Sequence, residues 1–597
     1  MILGINAYHG DVAVALLRDG DVVAALEEER YVRCKHVAGL PKLALRDLVK
    51  IAAIDPVSIE TFAISRRPSA HLIRKMAFTL AKRPRAVILR DRISNALKAM
   101  SVSSEIAEAL NIEASRVKPH LQHVEHHDAH LASTFFVSPF ERAAVCSIDG
   151  FGDFVSTAVA LGDQNRLTRL GNVYFPHSLG ILYLALTQYL GFPKYGDEYK
   201  VMGLAPYGRP DFASQMRTLV RLERGGGFKL DLSYFRHWSD GVSMTWAAGE
   251  PAMADVFTQK LEMLLGPRRH VDEALEPRHE AIAASIQVVF EEAAFHVLNE
   301  VYKRTKSKRL CLAGGCAMNS VMNGKIRQRT PFEEVYIQPA AADNGTALGA
   351  ALYVAHQLQG RRRSLVMQHA YWGPGLSDSE IEHTLDRHAN ELEKCDRQRI
   401  ADFESLCDWT AMQIASGKVV GWVQGRMEWG PRALGNRSIL GDPRRTDMRD
   451  IINTRIKFRE RFRPFAPSVL EEALDEYFVG AVPDPFMIQV YPVRPEKRSM
   501  IPAVTHVDGS GRLQTVSRRS NQKYWTLIKS FEAITGVPVL LNTSFNENEP
   551  IVNTPDQALA CFLRTDMDVL IIGSHILAKT VGSGVRPSPE AAVAMVS

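Results

Sequence analysis

The chain has 597 residues, of which 46% are hydrophobic and 23% charged, with 72 Lys and Arg against 67 Asp and Glu. This length asks for two large domains, and the composition excludes a disordered, collagen-like or coiled-coil chain. A net charge of +5 is too slight on so large a surface to mark a nucleic-acid binder.

The N-terminus reads as a strand from Ile2 to Ile5, a polar turn from Asn6 to Asp11 and a strand from Val12 to Leu17. Asp19-Gly20-Asp21 is a tight hairpin signal before Val22 to Leu26. His9, Asp11 and Arg18 interrupt the early apolar run, which suits the first strands of a domain rather than a signal peptide. From Arg66 to Arg92 the chain is basic with interleaved apolar residues, as in "HLIRKMAFTLAK". That segment is either a solvated helical face or a flap that touches an acceptor or a partner.

The segment "HVEHHDAHLAS" follows, with four histidines and Asp128. On a helix His126 and His130 stand at i and i+4, so one face offers two imidazoles to a single metal, while His127 points elsewhere. Val145 to Ile148 is apolar, Asp149 to Asp153 reads as a turn, and Val155 to Leu161 is strand-like. This repeats the N-terminal strand–acidic turn–strand unit and predicts a duplicated fold. A long helix is expected from Glu280 to Tyr302. Leu310 to Ala313 then runs into Gly314-Gly315 and a helix containing Ala317 to Lys325. Such a glycine turn lets backbone approach an adenosine or phosphate closely, though tight packing explains many such pairs. Asp343 follows in "PAAADNGTALG". Strands and helices in this order predict an α/β architecture. Two histidines with Asp149 and Asp343 would suit Fe(II), Mn(II) or Zn(II).

Residues 366–400 are polar and charged and read as a linker between a domain at 1–365 and another at 401–580, with a tail at 581–597. The second block sets arginines at glycine- and proline-rich turns: Arg426, Arg432, Arg437 and Arg444, then Lys457, Arg459 and Arg463. Converging guanidinium groups bind planar oxyanions bidentately, so a phosphate pocket is expected. Arg512, Asn542 and Ser544 add hydrogen-bonding groups. Seven cysteines with no C-x-x-C pair exclude a zinc ribbon and a disulfide framework. No stretch offers the roughly 20 uninterrupted apolar residues of a membrane helix, and the expected compartment is the cytoplasm.

Nine motifs in order now carry a resemblance. "HHDAHLAS", "SIDGFGD", "DEYKVMGLAPYG", "LAGGCAMNSVMNGKI", "PAAADNGTALGAAL", "GRMEWGPRALGNRSILGDPR", "RFRPFAPSV", "HVDGSGRLQTV" and "LNTSFNENEPIVNTP" resemble the O-carbamoyltransferases of nodulation and antibiotic biosynthesis. The resemblance implies an N-terminal actin-like ATPase domain of the ASKHA type, similar to the tRNA threonylcarbamoyltransferase fold, and a C-terminal YrdC-like domain. It implies that carbamoyl phosphate binds the C-terminal pocket at Arg426, Arg432, Arg437, Lys457, Arg459, Arg463, Arg512, Asn542 and Ser544. Carbamate is then adenylated by ATP with Mg(II), pyrophosphate leaves, and a small-molecule hydroxyl attacks the carbamoyl adenylate. His126, His130, Asp149 and Asp343 match the family's metal ligands, with Fe(II) the implied ion.

His9, with Asp11 and Lys35, takes the catalytic positions, and Glu198, Lys200, Gly203, Gly314, Gly315 and Asn319 line the nucleotide site. The family often reads "HD" before its small-residue strand, whereas "YHGDVAV" inserts Gly10, and the lesser alternative for His9 is a turn histidine. Lys35 and Glu198-Tyr199-Lys200 could equally be surface ion-pairing groups. A homodimer is a family-based expectation. Neither nucleic acid nor membrane is an expected partner.

Three rivals stand beside this reading. A small-molecule kinase of the same ATPase superfamily leaves the histidine cluster and the arginine-rich block idle. The hydrogenase-maturation carbamoyltransferases carry zinc-finger cysteine pairs that this chain lacks. A tRNA-binding scaffold would use the basic segment and would bind RNA in a salt-sensitive way.

Overall fold

The structure, a computed structural model, describes residues 1–82, 101–242, 244–245 and 251–580. The chain divides into two compact units, Met1–Met367 and Gln368–Ser597.

The first unit holds two five-stranded sheets of the same topology. In one, the central strand Ile2–Asn6 pairs antiparallel with Ala13–Arg18, which pairs antiparallel with Asp21–Glu27. On its other side Ile2–Asn6 runs parallel to Thr61–Ile64, and that strand parallel to Leu121–His123. In the second sheet Arg142–Gly152 is the central strand, with Val155–Asp163 and Arg166–Tyr174 as the antiparallel meander. Arg309–Ala313 and Glu334–Tyr336 are its parallel neighbours. One order of strands used twice is the duplication that the repeated strand–turn–strand unit predicts. Every residue of Ile2–Asn6 is buried, as expected of a strand covered on both faces.

Small residues bring the two halves together within this unit. Helix Gly345–Leu352 packs on both Ile2–Asn6 and helix His126–Phe135. A methyl carbon on Gly4 would lie 1.9 Å from the Ala347 carbonyl oxygen, and one on Gly349 would lie 1.9 Å from that of Ala129. Neither position tolerates a side chain at this spacing. The result is that Asp343, just before one helix, meets His126 at the start of the other. Helix Pro277–Thr305 is long and apolar enough to cross a membrane, but its most apolar window is 83% buried inside the molecule, so it serves as a core helix.

Several local expectations change. Asp149 lies within the extended strand Arg142–Gly152, not in a turn. A register shift between Ile148 and Gly152 keeps the chain extended, and the reversal falls at Asp153 and Phe154, both at positive φ. After Gly314 a short helical turn, Gly315–Met318, precedes the α-helix Ser320–Arg329. That helix starts later than expected because Asn319 caps it, accepting from the Met322 N–H. Helix Leu72–Lys82 covers the first part of the basic segment, and it exposes apolar Ile73, Met76 and Leu80. Residues 83–92 of that segment lie outside the described residues.

The second unit is built on a nine-stranded mixed sheet. Arg437–Gly441 stands at its middle, antiparallel to Val420–Val423, which in turn runs parallel to Val569–Ile572. Helices Phe403–Ala415 and Gln522–Thr535 pack against each other, and the core gathers Trp422, Tyr524, Phe531 and Phe545. The stretch expected as a linker is folded into this unit. Cys395–Arg399 is an edge strand on His575–Lys579, and helix Asp378–Arg387 buries Ile381 and Leu385 in the core. Its polar composition reflects a solvent-facing edge strand, which sequence cannot tell from a linker. The tail at 581–597 lies outside the described residues.

Candidate functional site

Helix His126–Phe135 begins at Glu125, whose carboxylate accepts from the Asp128 N–H and caps the first turn. One turn of helix then places His126 and His130 side by side, with their Nε2 atoms 3.0 Å apart. Asp149 Oδ2 lies 3.3 Å from His126 Nε2 and 3.7 Å from His130 Nε2; Asp343 Oδ1 lies 3.5 and 3.4 Å from the same atoms. All four residues are buried, with their ligand atoms within 4.8 Å of one another. Ligands about 2.0–2.2 Å from one tetrahedral centre stand roughly 3.3–3.6 Å apart, and the spacings here, from 3.0 to 3.7 Å, bracket that range. The donor set therefore fits a divalent metal.

The local field asks for positive charge. Burial opposes the charged form of His126, yet the carboxylates of Asp343 and Asp149 outweigh it and hold its pKa well above the ordinary histidine value. Asp149 is likewise held well below the usual carboxylate range: burial raises it, and the paired histidines more than reverse that. A cation here satisfies two carboxylates that would otherwise repel each other.

Backbone and side-chain contacts fix this group from behind. Asp149 Oδ1 accepts from the Gly315 N–H at 2.7 Å. Asp153 Oδ2 accepts from the His126 N–H at 3.0 Å and from the Arg67 N–H at 2.7 Å. Asn344 donates to Glu27, which also pairs with Arg30. His127 turns away, as expected, and bonds Ser147 Oγ and the Val155 carbonyl. Sequence reasoning did not identify Gly152, Asp153, Asn344 or Glu27 as parts of this site. Asp153 stood in the quoted motif "SIDGFGD", the one signal that pointed to it.

His9 reaches the same place. Its ring centroid is 4.7 Å from that of His126, and its Nε2 is buried without a partner. Burial and then the charge of His126 push its pKa down to about 3. Asn6 Nδ2 donates to the carbonyls of Gly10 (3.1 Å) and Asp11 (3.0 Å), which fixes the turn that carries His9. Asp11 points the other way, to His36, whose Nδ1 donates to its Oδ1 at 2.7 Å. Burial opposes charge on His36, but Asp11 raises its pKa to about 9, while Lys35 acts against that from the adjacent position. Asp11, Glu29 and His36 form a second close group of donor atoms.

The expected nucleotide residues scatter over different roles. Burial raises Glu198 to about 7, with Asp197, His36 and Asp11 near enough to act on it. Lys200 pairs with Asp197 at 2.9 Å. Gly203 lies in helix Glu198–Leu204. Gly314 adopts φ 91° with the Ile148 carbonyl 2.2 Å from where a methyl carbon would stand. The glycine pair thus lets this loop close on Asp149. Asn319 exchanges hydrogen bonds with Gln287, at 3.0 and 3.1 Å.

In the second unit the expected cations divide into two sets. Arg437 is fully buried and donates to the carbonyls of Gln424 (2.8 Å), Asn436 (3.0 Å), Gly425 (3.2 Å) and Pro374 (3.3 Å). Arg426 donates to the carbonyls of Trp372 and Gly373, and Lys457 to Ser544 and Asn546. Asn542 bonds Ala433, Ser468 and Gln514, and Ser544 Oγ donates to Asn546. These groups are used by the fold, because the turns that carry them leave carbonyls to satisfy.

Arg432, Arg459, Arg463 and Arg512 instead face one another. Burial first, then the other three guanidinium groups, hold Arg512 well below the ordinary arginine value. Arg459 Nε donates to Asn453 at 2.8 Å, and Arg463 pairs with Glu460 at 3.3 Å. His506 and Arg449, which sequence reasoning did not single out, belong to the same surroundings: Arg512 and Arg449 both act on His506 electrostatically, His506 Nε2 and Arg512 Nε are buried without a hydrogen-bond partner, and Arg449 Nε lies 4.0 Å from Asp450. Three cations gathered about the buried Arg512 guanidinium suit an anion, which guanidinium groups bind through paired N–H donors.

Comparison with known proteins agrees with the nine motifs. The chain matches the family described as Carbamoyltransferase N-terminus over residues 1–352 and that described as Carbamoyltransferase C-terminus over residues 411–579. It is 41% identical to the uncharacterized protein sll1178 of Synechocystis sp., over 97% of each chain. It is 40% identical to the nodulation protein NolNO of Sinorhizobium fredii, over 97% of this chain and 80% of that one. Nodulation protein U of Bradyrhizobium diazoefficiens is 31% identical over 62% of this chain and 64% of its own.

Proposed function

Because the chain belongs to the carbamoyltransferase family, we propose that it carbamoylates a hydroxyl of a small-molecule acceptor, using carbamoyl phosphate and ATP with Mg(II). The observation that carries this reading is the buried group of His126, His130, Asp149 and Asp343 with His9 against it. These four residues would hold a divalent metal, Fe(II) on the family resemblance, which would polarise the carbamoyl carbonyl.

His9, kept neutral by burial, takes the proton of the attacking hydroxyl. The new bond joins that oxygen to the carbamoyl carbon, the bond from carbon to the adenylate phosphate breaks, and AMP leaves. Upstream, Arg432, Arg459, Arg463 and Arg512 receive the phosphate of carbamoyl phosphate, water hydrolyses it to carbamate and inorganic phosphate, and the carbamate oxygen attacks the α-phosphate of ATP as pyrophosphate departs. The YrdC-like reading of the second unit and a cytoplasmic setting belong to the same proposal.

Metal analysis of the purified protein tests it. The wild type is expected to carry about one divalent metal per four-residue site. His130→Ala should lose that metal together with carbamoyl transfer. Full retention of both by the variant would show that the ligand assignment is wrong.

A further inference from the structure

The turn that carries His9 contains one residue, Gly10, that separates two diverging side chains. His9 goes to His126, and Asp11 goes to His36. The Asn6 amide clamps the carbonyls of both Gly10 and Asp11, and Tyr8 and Asp11 take left-handed conformations. The gap between the two side chains is filled by Tyr195. A methyl carbon on Gly10 would stand 2.9 Å from the Tyr195 hydroxyl oxygen and 3.1 and 3.2 Å from Cε1 and Cζ. On its other side the His36 ring meets Tyr195 edge-on, with centroids 5.1 Å apart and planes at 80°. Glycine at position 10 is therefore what lets a phenol approach the turn of the proposed transfer site.

Among the described residues the Tyr195 hydroxyl has no hydrogen-bond partner, and its ring keeps some exposure. Burial, then the carboxylates of Asp343, Asp11, Asp149 and Glu198, raise its pKa well above the ordinary tyrosine value. Two of those carboxylates are in the four-residue group, so the phenol stands near it and stays a donor.

We propose that the Tyr195 hydroxyl, admitted by Gly10, donates a hydrogen bond to the oxygen of the carbamoyl group in the first unit. The inference rests on the carbamoyl-transfer reading. As a hydroxyl attacks the carbamoyl carbon, charge grows on that oxygen, and a fixed neutral donor stabilises it most when the charge is greatest. No proton leaves Tyr195, so it complements His9, which accepts one.

The test uses the full-length protein loaded with Co(II), with bicarbonate as a planar probe of carbamoyl shape and the visible spectrum as readout. Tyr195→Phe and Gly10→Ala are each expected to keep the wild-type metal content and to weaken bicarbonate binding about tenfold, the loss of one charge-assisted hydrogen bond. Gly10 is not in the left-handed region, so alanine there strains no backbone and acts by displacing the hydroxyl. The double variant should bind no more weakly than Tyr195→Phe alone. Wild-type affinity in Tyr195→Phe, or loss of Co(II) from it, overturns the proposal. A wild type that takes up Co(II) but ignores bicarbonate also overturns it, while leaving the metal reading intact. A wild type that takes up no Co(II) overturns both.

Discussion

At Gly152 an added methyl carbon would lie 1.9 Å from His126 Cδ2, whereas at Gly150 nothing stands within 4 Å. The first glycine makes room for a ligand; the second does not. Gly152→Ala is therefore expected to push His126 off its position, lower unfolding stability by about 1–3 kcal/mol and empty the metal group. Gly150→Ala should leave both unchanged. Thermal unfolding and metal content, measured on the pair, check this directly. The i, i+4 spacing of His126 and His130 was readable because a helix translates spacing into direction. The need for Gly152 was not, since it arises from a contact 26 residues away. Gly10 was legible as an anomaly in "YHGDVAV", but its consequence appears only once Tyr195 is placed beside it.

The strands and turns of the second unit decide which cations remain available. Arg437 starts the strand Arg437–Gly441 and turns inward onto carbonyls, while Arg512, on Ser510–Val516, faces other guanidinium groups. Their removal should have opposite consequences. Arg437→Ala leaves the carbonyls of Gln424 and Gly425 without their guanidinium donor, at about 1–3 kcal/mol each, whereas those of Asn436 and Pro374 keep backbone N–H donors, and urea denaturation should show a loss of stability. Arg512→Ala removes a repelled charge, so stability should hold or rise, but inorganic phosphate, followed by calorimetry, should bind at least about tenfold more weakly. A stable Arg437→Ala together with an Arg512→Ala that binds phosphate normally would reverse this division. The sequence displays all these arginines alike, because the direction of each depends on which strand lies beside it. For the same reason the edge strand Cys395–Arg399 read as linker: exposed alternating charges carry no apolar periodicity.

At the scale of the whole molecule, the chain folds into a duplicated first unit and a mixed-sheet second unit, to which the proposed function assigns one half-reaction each. The duplication was legible from two strand–acidic turn–strand repeats, since their apolar runs sit at the centres of the two sheets. The acceptor was not, because no motif or periodic pattern in the sequence specifies one. A kinase built on the first unit alone would give ADP and a phosphorylated product and would leave the anion pocket without work. Carbamoyl transfer through an adenylate instead releases inorganic phosphate from carbamoyl phosphate and pyrophosphate from ATP, with AMP leaving when the acceptor attacks. The deciding measurement is the fate of ATP incubated with the metal-loaded protein and carbamoyl phosphate, resolved by chromatography. Pyrophosphate, dependent on carbamoyl phosphate and matched by carbamoyl adenylate together with the AMP that its hydrolysis releases, is the predicted product; ADP, or no turnover of ATP with metal supplied, would contradict the account.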